Sequence, residues 1–142
     1  MPSSIHYQSV IEKGKNNLDQ LNKYINDPKK FTLILLYAPW CGYCNQFKPI
    51  WKEINDELHR NSSFNVIALN DTFIKEMVAN GNVLNLNLNH LAFPTIIIRN
   101  NKSKVNEYYQ GDRTKSAILK KLHDIKSKQS AVVPKKPAVN KV

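Results

Sequence analysis

The stretch "APWCGYC", residues 38–44, holds both cysteines of this 142-residue chain, separated by a glycine and a tyrosine. A nearly continuous apolar run, "FTLILLYA" at 31–38, leads into it and is typical of a central strand buried on both faces. The residues after it, "CNQFKPIWKEINDELHR", predict a helix whose inner face carries Phe47, Ile50, Trp51, Ile54 and Leu58. The two thiols are therefore expected where the central strand passes into a helix.

The remaining pattern predicts an alternation of helices and strands. A helix is expected over "NNLDQLNKYIND", capped by Asn17 or Asp19, and another over "TFIKEMVANG", closing on Gly81. Between them "FNVIALN" predicts a buried strand, while "PTIIIRNNKSKVNEYYQG" predicts a hairpin and "TKSAILKKLHDIKSK" an amphipathic helix. The alternating stretch "NVLNLNLNHLAF" fits an exposed edge strand or an ordered loop equally well. This order implies an α/β fold with a βαβ unit, an antiparallel pair and helices on both faces.

Composition and charge divide the chain into one domain and a tail. With 42% apolar residues the chain can bury one core, which we expect in residues 1–128, followed by a basic disordered tail at 129–142. Of the net charge of +10, residues 113–142 carry +8. A basic end can attract nucleic acid, an anionic membrane or an acidic protein, but a solvated face is the favoured interpretation. Only 3 of the 21 basic residues are arginines, which disfavours sequence-specific nucleic-acid binding.

The N-terminal sequence "MPSSIHYQSVIEKGK" lacks the apolar run of a secretory signal. Nowhere does the chain reach the ~20 apolar residues of a transmembrane helix, so no transmembrane segment is expected. These features favour the cytoplasm, or a particle assembled there, such as a virion. A chain of the endoplasmic reticulum or a secreted chain whose leader has been removed would look the same.

The cysteine pair favours redox chemistry over the two alternatives. A zinc site needs four ligands, and none of His59, His90 and His123 has the short paired spacing that would complete one. A disulfide across so short a loop would restrict the unfolded chain little. A thiolate, by contrast, is favoured at a helix N-terminus, which is where Cys41 is expected.

Cys41 is therefore the expected nucleophile, and Cys44, one helical turn later, is expected to resolve the mixed disulfide. We expect Cys41 at a partly exposed rim beside Pro39 and Trp40, and Cys44 in the interior.

Four motifs occur in an order that resembles the thioredoxin superfamily, most closely the catalytic domains of protein disulfide isomerases. They are "YAPWCGYC", Pro49, "FPT" at 93–95 and "YQGDRT" at 109–114, and the resemblance spans roughly residues 15–126. It implies a thioredoxin fold, a central mixed β-sheet with helices on both faces, and a redox-active centre that needs no metal or organic cofactor. It also implies a cis-proline at Pro94, facing Cys41. In this family the proline keeps metal from the cysteines and lets the backbone of the preceding residue, here Phe93, pair with substrate.

Other residues match or depart from the family pattern. Arg113 matches a mobile arginine that is thought to stabilise the thiolate of the buried second cysteine. Leu35 stands where the family usually buries an acid, and the sequence around Ala68 lacks the lysine that often pairs with that acid. Tyr43 is neither the proline of reductants nor the histidine of isomerases. A potential between roughly −270 and −180 mV is therefore expected. The long segment between Asp71 and Pro94 is a candidate for substrate selection or a simple surface loop.

These observations predict a thiol–disulfide oxidoreductase that acts on protein disulfides through a mixed disulfide on Cys41. Its expected partners are protein substrates with disulfides or thiols and a reductase or oxidase that recycles the pair. The residues assigned to substrate binding are Trp40, Gly42, Tyr43, Phe93 and Pro94. The alternative is a non-catalytic thioredoxin-fold module that binds a partner through the groove at residues 93–94 and the basic C-terminal region.

Overall fold

The computed structural model describes the backbone of residues 15–135 and the side chains of residues 18–128. Its elements, in chain order, are α1 (Lys15–Ile25), β1 (Phe31–Tyr37), α2 (Gly42–Leu58), β2 (Phe64–Asn70), α3 (Asp71–Ala79), a 3₁₀ turn (Leu88–His90), β3 (Thr95–Asn100), β4 (Val105–Tyr108) and α4 (Lys115–Lys135). They belong to two compact units, Met1–Gln110 and Gly111–Val142. The sheet and the helices α1 to α3 lie in the first unit, and α4 lies in the second.

The sheet of the first unit has the strand order β2-β1-β3-β4. β1 runs parallel to β2 and antiparallel to β3, and β4 pairs antiparallel with β3, so the sheet is mixed. Residues 32–37 of β1 are all buried, as expected for a central strand. The register places Leu35 beside Ala68. The two positions at which the chain departs from the family pattern are therefore neighbours.

In the first unit, both ends of α3 follow common capping patterns, whereas the predicted start of α1 does not match the structure. α3 begins with Asn70 as its cap, the Asn70 side chain accepting from the Phe73 N–H at 2.8 Å. It ends at Ala79 and closes, as predicted, on Gly81, whose φ of 110° lets the Asn82 N–H reach the Met77 carbonyl at 3.0 Å. The predicted cap of α1 is wrong: residues 17 and 19 lie inside that helix, which already includes Lys15. Capping residues can also occupy helix interiors, and their identity alone does not mark a boundary.

The predicted inner face of α2 is largely confirmed, with one exception. Ile50 is only partly buried. The helix buries Cys44, Phe47, Trp51, Ile54, Asn55 and Leu58.

The Leu/Asn stretch forms an ordered loop, which decides between the two alternatives that the sequence left open. Leu84 and Leu86 are buried, but Leu88 is exposed, so the alternation ends after two leucines. The side-chain amide of Asn82 donates to the Leu86 carbonyl at 2.9 Å and its oxygen accepts from the Leu86 N–H at 2.9 Å. Because Asn82 and Asn85 have positive φ, this segment leaves the extended conformation that a strand requires.

The second unit contains α4, which begins where Thr114 Oγ1 accepts from the Ala117 N–H at 3.2 Å. Ile118 and Leu122 are buried, while residues 119 and 125 of the predicted inner face are partly buried. The helix continues to Lys135, past residue 128 where we expected the domain to end. The N-terminal residues 1–14 and the end of the predicted tail, 136–142, lie outside the described residues. Within residues 15–135, none of the helices is both long and apolar enough to cross a membrane.

Asn101, in the turn between β3 and β4, ties that turn to the end of α1. It is 2% exposed, accepts from Thr32 Oγ1 at 2.9 Å, and donates to the carbonyls of Tyr24 at 2.9 Å and Asp27 at 3.0 Å. Asn101→Ala should lower the free energy of unfolding by about 3 kcal/mol, because several buried groups lose a partner. Chemical denaturation measures the loss. Lys102→Ala, at an exposed position of the same turn, is the control, and equal losses in the two variants would contradict the prediction.

Candidate active site

Cys41 is the cap of α2, at the point where β1 has ended and the chain turns back. Its N–H donates to the Ala38 carbonyl at 3.1 Å, and its backbone is extended, with φ −86° and ψ 116°. The Cys44 N–H donates to Cys41 Sγ at 3.1 Å. The sulfur thus occupies the position of a capping side-chain oxygen, at a helix end that favours negative charge. The predicted placement of Cys41 at the helix N-terminus is confirmed.

The loop before β3 brings a second segment to this sulfur. The peptide bond between Phe93 and Pro94 is cis, as the resemblance implied. Cys41 Sγ lies 3.6 Å from the Phe93 carbonyl oxygen, to which the thiol can donate. Cys41 Sγ therefore lies between a donor from α2 and an acceptor from the cis-proline loop. The expected approach of this loop to Cys41 is confirmed.

The two thiols differ little in exposure. Cys44 is 2% exposed and Cys41 is 6% exposed, and no disulfide joins them. The prediction of a partly exposed rim for Cys41 is wrong, because the cis-proline loop packs against its sulfur. The large exposed side chains here are those of Trp40, at 72%, and Tyr43, at 69%, one on each side of Cys41 in the sequence. Gly42, between the cysteines, is also exposed, and a Cβ there would meet nothing within 4 Å.

Trp40 is held by a residue that the sequence analysis missed. Its indole Nε1 donates to Asp71 Oδ2 at 2.9 Å, and its ring meets the Phe93 ring edge-on with centroids 5.9 Å apart. Asp71 directly follows β2. Because β1 and β2 are parallel, their carboxyl ends lie at the same edge of the sheet, and that topological rule would have pointed to Asp71.

The interior of the sheet at the position of the family's acid is apolar. Leu35 is 1% exposed and its neighbour Ala68 is fully buried. The chain therefore lacks both a carboxylate and a cation at these two positions, as expected from its sequence. Across residues 15–135, no cluster of three or more histidine, cysteine, aspartate or glutamate residues is placed to hold a metal ion.

The site residues expected from the sequence are only partly brought together. Trp40, Phe93 and Pro94 gather with the cysteines in the first unit. Arg113 belongs to the second unit, where it is exposed and stands two residues before α4. Its expected role beside Cys44 stays a prediction.

The fold and this site define a class: proteins with a CxxC dithiol at a helix start, opposite a cis-proline. Comparison with known proteins agrees, because the family model for thioredoxin matches residues 12–124. The chain therefore belongs to the thioredoxin superfamily of thiol–disulfide oxidoreductases, as a domain like those of protein disulfide isomerases. The predicted thioredoxin fold with its mixed sheet is confirmed.

Individual relatives are protein disulfide isomerases and their domains. The chain is 33% identical over 121 residues to protein disulfide-isomerase of Saccharomyces cerevisiae, which covers 79% of the chain and 21% of the relative. It is 32% identical over 101 residues to that of Ricinus communis, covering 71% of the chain and 19% of the relative. The solution structure of the first thioredoxin domain of mouse protein disulfide-isomerase A4 superposes with a TM-score of 0.57 at 28% identity, covering 81% of this chain and 73% of that one. The chain spans about a fifth of the length of these two curated relatives.

Proposed function

We propose that this domain exchanges disulfides with protein substrates through a mixed disulfide on Cys41. The observation that carries the proposal is the 3.1 Å hydrogen bond from the Cys44 N–H to Cys41 Sγ at the start of α2. A donor held at this distance stabilises negative charge on the sulfur, and the thiolate is the form that attacks a disulfide. Cys41 therefore acts as the nucleophile and Cys44 as the resolving thiol.

The reaction proceeds in two exchanges. The Cys41 thiolate attacks one sulfur of the substrate disulfide, and the other substrate sulfur leaves as a thiolate that takes a proton from water. The Cys44 thiol then loses its proton and attacks Cys41 Sγ, closing a bond between the two cysteines and releasing the second substrate thiol. The substrate disulfide gains two electrons, and the cysteine pair loses two. A dithiol reductant reopens the pair, and the reverse sequence oxidises a substrate dithiol.

Substrate is held by the exposed rings and by the backbone beside Cys41. Trp40, fixed by Asp71, and Tyr43 supply apolar contact area on either side of the nucleophile. The Phe93 carbonyl accepts a hydrogen bond from an extended substrate backbone once the Cys41 thiol, its donor in the reduced protein, has lost its proton. Loss of the proton from Cys41 therefore also frees the Phe93 carbonyl oxygen to accept a hydrogen bond from substrate.

The proposal is tested by reduction of insulin with dithiothreitol, followed as turbidity. The wild-type chain should shorten the lag, whereas Cys41→Ser should match dithiothreitol alone. Serine is close in shape to cysteine and is itself a preferred helix cap, so α2 should remain intact, which circular dichroism checks. Equal rates for the wild type and Cys41→Ser would refute the proposal and favour the alternative, a binding module that uses the groove at residues 93–94.

A further inference from the structure

A cleft lies between the hairpin of β3 and β4 and the loop that follows α3. It has a volume of about 430 Å³ and is lined by Val83, Leu84, Asn85, Arg99, Lys104, Asn106 and Tyr108. Arg99 pairs with Thr32 at the beginning of β1, whereas Cys41 follows the end of that strand. The six residues from Thr32 to Tyr37, the end of β1, span about 17 Å. The cleft is therefore separate from the dithiol site.

Arg99 is a buried cation with no anionic side chain beside it among residues 18–128. It is 4% exposed, and it donates one hydrogen bond, from Nη1 to Asn106 Oδ1 at 3.3 Å. Its Nε is buried and makes no hydrogen bond, and among residues 18–128 no carboxylate lies within ion-pair distance of it. Burial lowers the pKa of Arg99 from its ordinary value, but a guanidinium stays cationic at neutral pH. Such a charge destabilises the fold unless something pairs with it.

The residues that line the cleft beside Arg99 provide a hydrogen-bond acceptor, a second cation and apolar surface. The amide nitrogen of Asn106 donates to the Leu84 carbonyl at 2.9 Å, which leaves its oxygen for the guanidinium. Lys104, an exposed residue of the β3–β4 turn, adds a second cation to the lining. Buried Leu84 and exposed Tyr108 contribute apolar surface. A charged donor with a free N–H, a second cation and apolar walls are the features of a site for a small anionic ligand.

We propose that this cleft binds a small oxyanion, a carboxylate or a phosphate, held by Arg99 and Lys104. The planar guanidinium suits both groups, because each offers oxygen atoms that can accept from its parallel N–H bonds. Binding supplies the anion that residues 18–128 do not place beside Arg99. The site does not involve the cysteine pair, so the test of anion binding does not depend on the proposed redox function.

The experiment measures binding to the full chain by calorimetry and by thermal unfolding. The probes are sodium phosphate and sodium succinate, each compared with sodium chloride at the same ionic strength. At about ten times its dissociation constant, a bound probe should raise Tm by about 4 °C over chloride. A larger effect of phosphate or of succinate identifies which of the two sources the cleft favours.

Three variants distinguish this site from general screening of a basic protein. Arg99→Met should weaken binding about tenfold or more and abolish the probe-induced rise, while raising Tm in chloride alone because a buried charge is removed. Lys104→Gln should weaken binding about threefold. Lys102→Gln, in the same turn but outside the lining, should change nothing.

The proposal fails if neither probe raises Tm above chloride, or if Arg99→Met keeps the full rise. It also fails if Lys102→Gln weakens binding as much as Lys104→Gln. Should Arg99→Met not fold, the comparison of these two lysine variants decides alone, since both positions are exposed.

Discussion

Replacing Cys44 with serine is expected to make covalent complexes with substrate accumulate while turnover falls by about a thousandfold. Cys41, the proposed nucleophile, and its N–H donor are retained, because the contact at 3.1 Å uses the backbone of residue 44 and not its side chain. Cys41 can therefore still attack a substrate disulfide. The second exchange needs a sulfur at residue 44, and a serine hydroxyl cannot displace the mixed disulfide.

The complexes are measured by mixing the reduced variant with oxidised insulin and separating the products without reductant. A band that disappears on adding dithiothreitol should form with Cys44→Ser and be absent with the double variant Cys41→Ser/Cys44→Ser. Cys41→Ser alone is the second control. If it forms the complex as efficiently as Cys44→Ser, the roles of the two cysteines are exchanged and the proposed order of steps is wrong.

The buried strands could be predicted from the sequence because their signal is local. β1 is a continuous apolar run that starts soon after Asp27-Pro28 and stops before Pro39, and β2 has the predicted boundaries. The strand pairs follow from chain order, since a βαβ unit and a hairpin leave few arrangements of the sheet. The register between Leu35 and Ala68, by contrast, became known only from the structure.

The loop after α3 could not be predicted because its sequence satisfies two rules at once. Alternating leucine and asparagine has the period of a strand, and asparagine also tolerates positive φ. Hydrogen bonds between the Asn82 side chain and the Leu86 backbone close the loop, and Asn106 of β4 holds the Leu84 carbonyl. The last contact joins residues 22 positions apart, and a local pattern carries no information about it.

In the dithiol site, too, some features follow from the local sequence and others depend on contacts between distant residues. Cys41 and Cys44 are three residues apart at a helix start, so spacing alone placed them. The burial of Cys41 depends on the loop at Phe93, and the fixation of Trp40 depends on Asp71, 31 residues away. Sequence identifies the two cysteines and their position at the start of the helix. Packing decides how exposed they are.

Replacing Leu35 with aspartate is expected to lower the free energy of unfolding at pH 7 by about 4 kcal/mol or more. Leu35 is 1% exposed on the central strand, and its neighbours on the adjacent strands are Ala68 and Ile96. Neither side chain offers a charge or a hydrogen bond to a carboxylate. The variant must therefore bury an unpaired charge or take up a proton, and it also loses the packing of the leucine.

The apolar surroundings of residue 35 also determine whether the stability of Leu35→Asp rises or falls with pH. Desolvation raises the pKa of a buried aspartate above its unfolded value of about 3.9. As pH rises from about 4, the unfolded chain loses its proton first, so stability falls until the pKa of the folded state has been passed. Leu35→Asn has a similar shape and no charge. The deficit of Leu35→Asp relative to Leu35→Asn, measured by urea denaturation, should therefore be larger at pH 7.5 than at pH 4.5.

Adding Ala68→Lys to Leu35→Asp should recover part of the loss, with a coupling of about 2 kcal/mol in a double-mutant cycle at pH 7. The two residues are paired across parallel strands, so their side chains leave the sheet on the same face. Ala68→Lys alone should be destabilising, because it buries a cation beside Leu35. A coupling near zero would contradict the register. A stabilising coupling would explain why the buried acid and the lysine of the family pattern are absent together. Either residue alone would bury an unpaired charge, whereas Leu35 and Ala68 bury none.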